Sequence, residues 1–368
     1  MRITKEATMD TEDFTETARK AIENAIKERG HVNVLIAGRT GVGKSTLINA
    51  VFEGDFATTG QGRPITQDAR EHSKEGIPLS IIDTRGLEMA AYKETFKELQ
   101  KTILERRKDP DPNRHIHVAW ICIHEDGRRV EQAEIELHEM LAEYMPVIGV
   151  ITKSRADKGF RDEVQKLLPQ TRNVVRVRAL EEELDEGQIL KPMGLESLVE
   201  ITMEALPEGM RKAFIASQKV SLELKKKQAH KIVLVAASAS AAAGASPIPF
   251  SDAIILVPIQ VGMLASISSA FGLPLSTAFL GTLVASAAGT TGATLIGRTI
   301  VSNILKFIPG IGSVAGGAIS GATAAALTTT LGEVYIKTLT AVMTNSKGEI
   351  PSNDEVMEEF KKRFGKKE

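Results

Sequence analysis

Residues 32–46 read VNVLIAGRTGVGKST. An apolar, β-branched run ends in glycines at 38, 41 and 43, and an apolar-periodic stretch begins directly after Lys44. That is a strand, a glycine turn and a helix start in the pattern G-x-x-x-x-G-K-[ST]. The glycines free the backbone to wrap an anion with its N–H groups, and the helix N-terminus adds the positive end of its dipole. In such a turn Lys44 reaches the β- and γ-phosphates of a nucleotide and the Ser45 hydroxyl ligates Mg²⁺. The remaining residues of 38–46, namely Gly38, Arg39, Thr40, Gly41, Val42, Gly43 and Thr46, line the phosphate cradle.

A second stretch, LSIIDTRGLEM at 79–89, ends an apolar run on an acid and supplies a glycine three residues later. Asp83 at a strand end suits a carboxylate near the magnesium, and the Gly86 N–H can turn toward the γ-phosphate. Leu87 is apolar where many phosphate-cleaving switches carry a polar side chain to position water. Between the two motifs, TTGQGRPITQD (58–68) reads as a mobile loop. Thr66 is the candidate to meet Mg²⁺ only while the γ-phosphate is present, with Thr58 and Thr59 as competitors.

Outward from these motifs, strands are expected near 32–38, 78–83, 117–123, 147–152 and 174–180. Helices are expected near 12–29, 44–52, 90–107, 131–144 and 194–206. Strands of four to eight residues alternating with helices of ten or more predict an α/β fold with a mostly parallel sheet. Ligands of such sheets bind at the carboxyl ends of the strands, where both motifs fall.

These residues resemble the translation-factor-like P-loop GTPases, especially the Era/TrmE-like group and the dynamin-like or immunity-related GTPases. The likeness covers about 30–206. It rests on GRTGVGKST, on Thr66 in RPIT, on DTRG at 83–86 and on TK at 152–153. It implies GTP/GDP and Mg²⁺ as ligands, a guanine nucleotide as partner, slow hydrolysis and two conformational states, with Lys44, Thr66 and Gly86 serving catalysis and Ser45, Thr66 and Asp83 the metal. Thr152 and Lys153 match the first two base-packing positions of [NT]-K-x-D, but Arg155 stands where the aspartate belongs. Asp157 substitutes only if the loop bulges. RVRAL at 176–180 offers Ala179 for the loop that contacts the base. Gly41 occupies the position at which some members use an asparagine to hold potassium. Catalytic help must then come from Arg39, Arg63 or Arg85, in cis or across a homodimer of nucleotide domains, or from a partner protein.

Charge is nearly absent from 232 to 332, where only Asp252, Arg298 and Lys306 are ionisable. Alanine, glycine and serine dominate there. The uncharged runs 253–271, 275–297 and 307–332 are each long enough to cross a bilayer, for which about 20 residues suffice. Gly312, Gly316, Gly317 and Gly321 sit at small-xxx-small spacing. Just before this block, 211–231 sets seven Lys and Arg (Arg211, Lys212, Lys219, Lys225, Lys226, Lys227 and Lys231) against the single Glu223, a charge bias that suits an anionic cytoplasmic membrane face. The same composition also suits a tightly packed water-soluble bundle. Ser251 or Asp252 is a natural N-cap, and Gln260 is a polar residue on an otherwise apolar helix. Residues 229–340 look like a helical domain of uncharacterised function found downstream of GTPases, marked by PIPxxDA, a following Gln and IPGxG at 308–312.

The expected organisation is an N-terminal helical extension (1–29), the nucleotide domain (30–206), a basic helical linker (207–230), an apolar all-α domain (231–345) and a polar tail (346–368). Forty-six Lys and Arg against 47 Asp and Glu exclude a polycationic nucleic-acid binder. The single Cys122 excludes an internal disulfide and favours a reducing compartment. The N-terminus does not read as a signal peptide. His115, His117 and His124 surround one strand without zinc-site spacing, His72 and His138 stand alone, and Trp120 reads as core. The reading is a GTP-hydrolysing switch acting on an apolar helical domain at the cytoplasmic face of a membrane. Its rivals are a soluble ribosome- or RNA-associated GTPase and a nucleotide-binding scaffold with negligible turnover.

Overall fold

A computed structural model describes residues 11–54, 56, 63–64, 69–84, 92–244, 252–287, 320–346 and 350–365. The chain divides into two compact units, Arg29–Ser221 and Met1–Glu28 with Leu222–Glu368.

In the first unit, β1 (Val32–Ala37), β4 (Leu79–Thr84), β5 (Val118–His124), β6 (Val147–Thr152) and β7 (Val174–Arg176) run parallel. Two antiparallel strands, β2 (Arg63–Pro64) and β3 (Ala69–Ser73), extend one side, giving the order β2-β3-β4-β1-β5-β6-β7. Helices α2 (Lys44–Val51), α3 (Tyr92–Arg107), α4 (Gln132–Ala142), α5 (Phe160–Leu167), α6 (Leu195–Ala205) and α7 (Glu208–Ser217) connect and cover them. Every residue of β1 and β6 is buried, which is why the central strands read as unbroken apolar runs rather than alternating ones. Trp120 on β5 stacks on Phe52 with centroids 5.5 Å apart and donates its indole N–H to Thr202 Oγ1 at 3.1 Å. It is a core residue.

Most of the parallel strands and their helices fall within a few residues of the sequence expectation, and the main differences lie elsewhere. The strand expected at 174–180 stops at Arg176, and the chain beyond leaves the sheet. Strand β3, AREHS, went unread because its residues are polar on both faces; Glu71 on it pairs with Arg106 at 2.8 Å. Helix α5 went unread because only Phe160 and Val164 anchor it, one turn apart.

The second unit is all helical: α1 (Thr11–Arg29, up to Glu28), α8 (Leu222–Gly244), α9 (Asp252–Phe271), α10 (Thr277–Ala287), a long helix Gly321–Asn345 and a last helix Asn353–Gly365. Phe14, Ala18 and Ala25 of α1 join one core with Val233, Leu264, Phe271, Leu331, Leu339 and Phe360. The N-terminal segment is therefore packed into the helical unit rather than extended from the sheet domain. The stretch expected as a linker, 207–230, is divided, with α7 in the sheet unit and the start of α8 in the helical one. The C-terminal segment is likewise not a free polar tail, because Val356, Met357 and Phe360 recur on one face and are buried.

Small residues let the helices approach. A Cβ on Gly321 would lie 2.5 Å from the Ala241 carbonyl, and one on Gly332 would lie 2.5 Å from a Val233 methyl. Several polar groups in this core pair with one another: Ser268 bonds Tyr335 Oη at 2.7 Å, Ser240 bonds Thr328 at 2.8 Å, and Lys225 Nζ donates to the Phe271 carbonyl at 2.9 Å, whereas the buried Ser269 hydroxyl has no partner among the described residues. Gln260 is buried, with Nε2 3.4 Å from Thr328 Oγ1. The apolar side chains Val257, Val261, Leu264 and Ile267 of α9 are spent on this intramolecular core. Among the described residues no helix is long and apolar enough to cross a membrane. The cap candidate Ser251, the glycines at 312, 316 and 317, Arg298, Lys306 and the IPGxG stretch lie outside the described residues; Asp252 begins α9.

At the amino end of the sheet, His117 bridges two segments. Its Nδ1 accepts from Asn33 N at 2.9 Å and its Nε2 donates to the Pro112 carbonyl at 2.9 Å. Burial pushes this imidazole down to about 4. The unfolded chain binds a proton near pH 6.5 that the folded chain refuses until about pH 4. This contribution to stability is therefore complete above pH 6.5 and is lost as pH falls toward 4, by up to about 3 kcal/mol. Urea unfolding followed by the fluorescence of the single, buried Trp120 should show a steeper loss between pH 7 and 4.5 for the native chain than for His117→Gln.

Candidate functional site: a phosphate loop and a base recess

The loop after β1 is held in a shape only glycine tolerates. Gly38, Gly41 and Gly43 have φ of 148°, 77° and 102°. A Cβ on Gly38 would lie 2.5 Å from the Cys122 carbonyl oxygen, so the loop crosses β5 at backbone contact. The next strand braces it: Thr152 Oγ1 donates to the Val42 carbonyl at 2.6 Å, and Lys153 Nζ to the Gly41 carbonyl at 2.8 Å. With the 41 and 42 carbonyls held by β6 and the Val42 N–H bonded to the Arg39 carbonyl at 3.3 Å, the loop is fixed at the start of α2, whose N-terminus favours an anion. Lys44 Nζ lies over the loop, 2.7 Å from Gly38 O and 3.1 Å from Arg39 O.

Sheet register brings Asp83 to the same place. Asp83 is level with Ile36 on β1, next to the turn into the loop. The Cys122 thiol senses both charges: burial pushes it up to about 12, the Lys44 ammonium opposes that and the Asp83 carboxylate adds to it. Ser45 is exposed at the first turn of α2. A hydroxyl and a carboxylate are hard oxygen donors, the kind Mg²⁺ takes beside phosphate oxygens, so these residues fit that ion.

Beside the loop lies a recess lined by Gly43, Thr46, Leu47, Thr152, Lys153, Val177, Arg178, Ala179, Leu180, Glu181 and Glu182. The sequence-derived residues Thr46, Thr152, Lys153 and Ala179 meet here, and Lys153 takes a left-handed φ of 51°. Asp157 does not line it. Its Oδ1 accepts from Arg161 N at 2.9 Å at the start of α5, because the turn after β6 carries the chain away before position 157. Among the arginines proposed to assist catalysis, Arg39 pairs with Glu131 at 3.0 Å on the surface. The side chain of Arg63, and Thr58, Thr59, Thr66, Arg85, Gly86 and Leu87, lie outside the described residues. Among the described residues no group of His, Cys, Asp and Glu forms a metal cluster of its own.

One organising residue escaped sequence reading. Glu125, 1% exposed, accepts from the backbone N–H of Arg155 at 2.5 Å and of Ala156 at 2.8 Å, and from Arg176 Nε at 2.8 Å. It shapes the 153–157 turn from thirty residues away. Burial would raise this carboxyl, but the N–H groups and the Arg176 guanidinium together hold it below the usual carboxylate range.

The fold and the two motifs define a P-loop nucleotide-binding domain. Comparison with known families narrows this: a family described as 50S ribosome-binding GTPase matches residues 33–153, and a domain of unknown function (DUF697) matches 211–364. Residues 33–153 thus form a P-loop GTPase domain, a class that uses GTP/GDP and Mg²⁺. Cell division control protein 10 of Candida albicans is 27% identical over 42% of this chain and 50% of its own length. The tRNA modification GTPase MnmE of Desulfotalea psychrophila is 31% identical over 34% of this chain and 25% of its own, and that of Vibrio vulnificus 40% identical over 25% and 19%. The chain spans half or less of the length of these relatives. A bacterial selenocysteine-specific elongation factor EF-Sec structure aligns with a TM-score of 0.32 at 17% identity, over 48% of this chain and 28% of that one.

Gly38→Ala and Gly41→Ala should separate fold from binding. The first drives a methyl into backbone and should cost about 2–4 kcal/mol of stability. The second meets nothing within 4 Å and costs only the left-handed conformation, about 1 kcal/mol, while still disturbing the anion loop. Chemical denaturation alongside fluorescent-nucleotide titration checks both.

Proposed function

We propose that this chain is a GTP-binding, slowly GTP-hydrolysing switch whose nucleotide state is coupled to its helical unit. The observation that carries the reading is the braced loop 38–43 with Lys44 over it and Asp83 brought alongside by strand register. The loop N–H groups bind phosphate oxygens, Lys44 neutralises charge on the β- and γ-phosphates, and Ser45 and Asp83 hold the ion's ligand shell in place. Mg²⁺, when bound, supplies further neutralisation of the charge that develops on the transferred group. Thr66 and Gly86 are assigned the γ-phosphate-sensing roles.

Intrinsic turnover by dilute protein should be slow, on the order of 10⁻⁴–10⁻³ per second, rising with protein concentration if nucleotide domains pair. Lys44→Ala should lower GTP turnover at least about 100-fold, and Asp83→Asn should raise the Mg²⁺ requirement about tenfold. Phosphate release measured with both variants checks this. GTP retained by the native chain with no turnover above Lys44→Ala would leave a nucleotide-binding scaffold in its place.

For the helical unit we propose contact with the surface of an anionic membrane at its cytoplasmic face. Leu234 and Val235, 69% and 70% exposed on α8, follow the exposed Lys227 and Lys231 on the same side of the helix, which supports a surface contact rather than a span. In vesicle flotation the native chain should rise with anionic but not neutral vesicles, and a Leu234→Ser, Val235→Ser double variant should remain below. Failure of the native chain to float would favour a soluble ribosome- or RNA-associated switch, the reading that the names of the MnmE relatives suggest.

A further inference from the structure

The GTPase reading leaves unassigned the group that tells guanine from adenine, and the following rests on that reading. Guanine presents two donors on its Watson–Crick edge, N1–H and the 2-amino group, so its reader must accept hydrogen bonds. Arg155, in the position where an aspartate is expected, has only donors and cannot do this. Asp157 is engaged at the start of α5. The recess beside the loop nevertheless carries two carboxylates, Glu181 and Glu182.

The two differ in how they are held. Glu181 is exposed, whereas Glu182 is partly buried on β8 (Glu182–Glu183), which pairs with β9 (Ile189–Leu190) in a small hairpin. The Arg155 guanidinium grips Glu182 with two N–H groups, Nε to Oε2 at 3.0 Å and a second contact from Nη2 to Oε1. Arg155 itself is steadied by Glu125 at its backbone and by Asp126, 3.8 Å from Nη1. The hydrogen bond from Arg155 holds the Glu182 carboxyl below the usual carboxylate range, so it stays an acceptor at neutral pH. A carboxylate has about four acceptor positions, so those facing Arg155 leave others for a ligand. At about 250 Å³ the recess is smaller than pockets that enclose a whole drug-sized ligand, a size for a base whose phosphates lie outside in the loop.

We infer that Glu182 is the guanine-reading residue, its carboxylate accepting from N1–H and the 2-amino group while Arg155 aims it. The role of an aspartate in the turn after β6 is thereby moved to the strand after Ala179, and the arginine that replaces the aspartate becomes a positioning residue. Adenine would turn its N1 lone pair toward this carboxylate and be rejected.

The test is displacement of a fluorescent nucleotide from the full chain, with Mg²⁺, by GTP, ITP, XTP and ATP. The native chain should prefer GTP, accept ITP more weakly because the 2-amino contact is missing, and reject XTP and ATP. Glu182→Gln should lose about 10- to 100-fold in GTP affinity and gain XTP, since a glutamine amide can donate to the 2-oxo group. Glu182→Asp should keep the native ranking at lower affinity, and Glu183→Gln, outside the recess, should change nothing. An unchanged ranking in Glu182→Gln, or equal loss of all four nucleotides, overturns the inference. A native chain that binds GTP and ATP alike overturns it too, while leaving the phosphate site standing. A native chain that binds none of them removes both.

Discussion

A methyl group on Gly38 would strike the Cys122 carbonyl at 2.5 Å, and that backbone-to-backbone approach is what the nucleotide site depends on. It lays the loop across the end of β5, close enough to β6 for Thr152 and Lys153 to take the carbonyls of Val42 and Gly41. With those carbonyls held, and the Val42 N–H turned back to the Arg39 carbonyl at 3.3 Å, the loop is fixed in one shape, and the start of α2 adds its dipole for an anion. Charge follows from register. Asp83 is level with Ile36 because β4 and β1 pair in parallel from Val32 and Leu79 onward, so a one-residue slip would turn it to the other face.

The helical unit solves a different problem with the same economy of side chains. Its alanines and glycines let α8 and the helix Gly321–Asn345 cross at backbone contact, as Gly244 and Gly321 show, while Gly332 makes room for the Val233 side chain. Close crossing concentrates dispersion contacts but brings polar groups into the interior, where each must be matched. Ser240 with Thr328, Ser268 with Tyr335, and Lys225 with the last carbonyl of α9 meet that demand, and the Ser269 hydroxyl is an exception. Among the described residues of the uncharged block, the apolar faces of α8, α9 and the helix Gly321–Asn345 are occupied by one another. What remains exposed on α8 is a short apolar patch, Leu234 and Val235, beside lysines.

Residues 32–46 determined by themselves that a strand, an anion-binding turn and a helix follow in succession, because all the interactions that specify that unit lie within a few residues of each other. The alternation of apolar runs and amphipathic stretches likewise determined the parallel sheet, and the loss of charge after 231 marked the helical region. Strand β3 escaped because its polar residues find partners only through neighbours such as Arg106. The tail escaped because Val356, Met357 and Phe360 have no meaning without the core they enter. Only the tertiary structure decided that Asp157 starts a helix instead of meeting a base, that Glu125 shapes the turn of Arg155 and Ala156, and that Arg155 grips Glu182. Glu125 stands thirty residues from Arg155, and Arg155 twenty-seven from Glu182; the parallel register of β5 and β6 sets His124 level with Thr152 and so brings the first pair together, which no local spacing encodes.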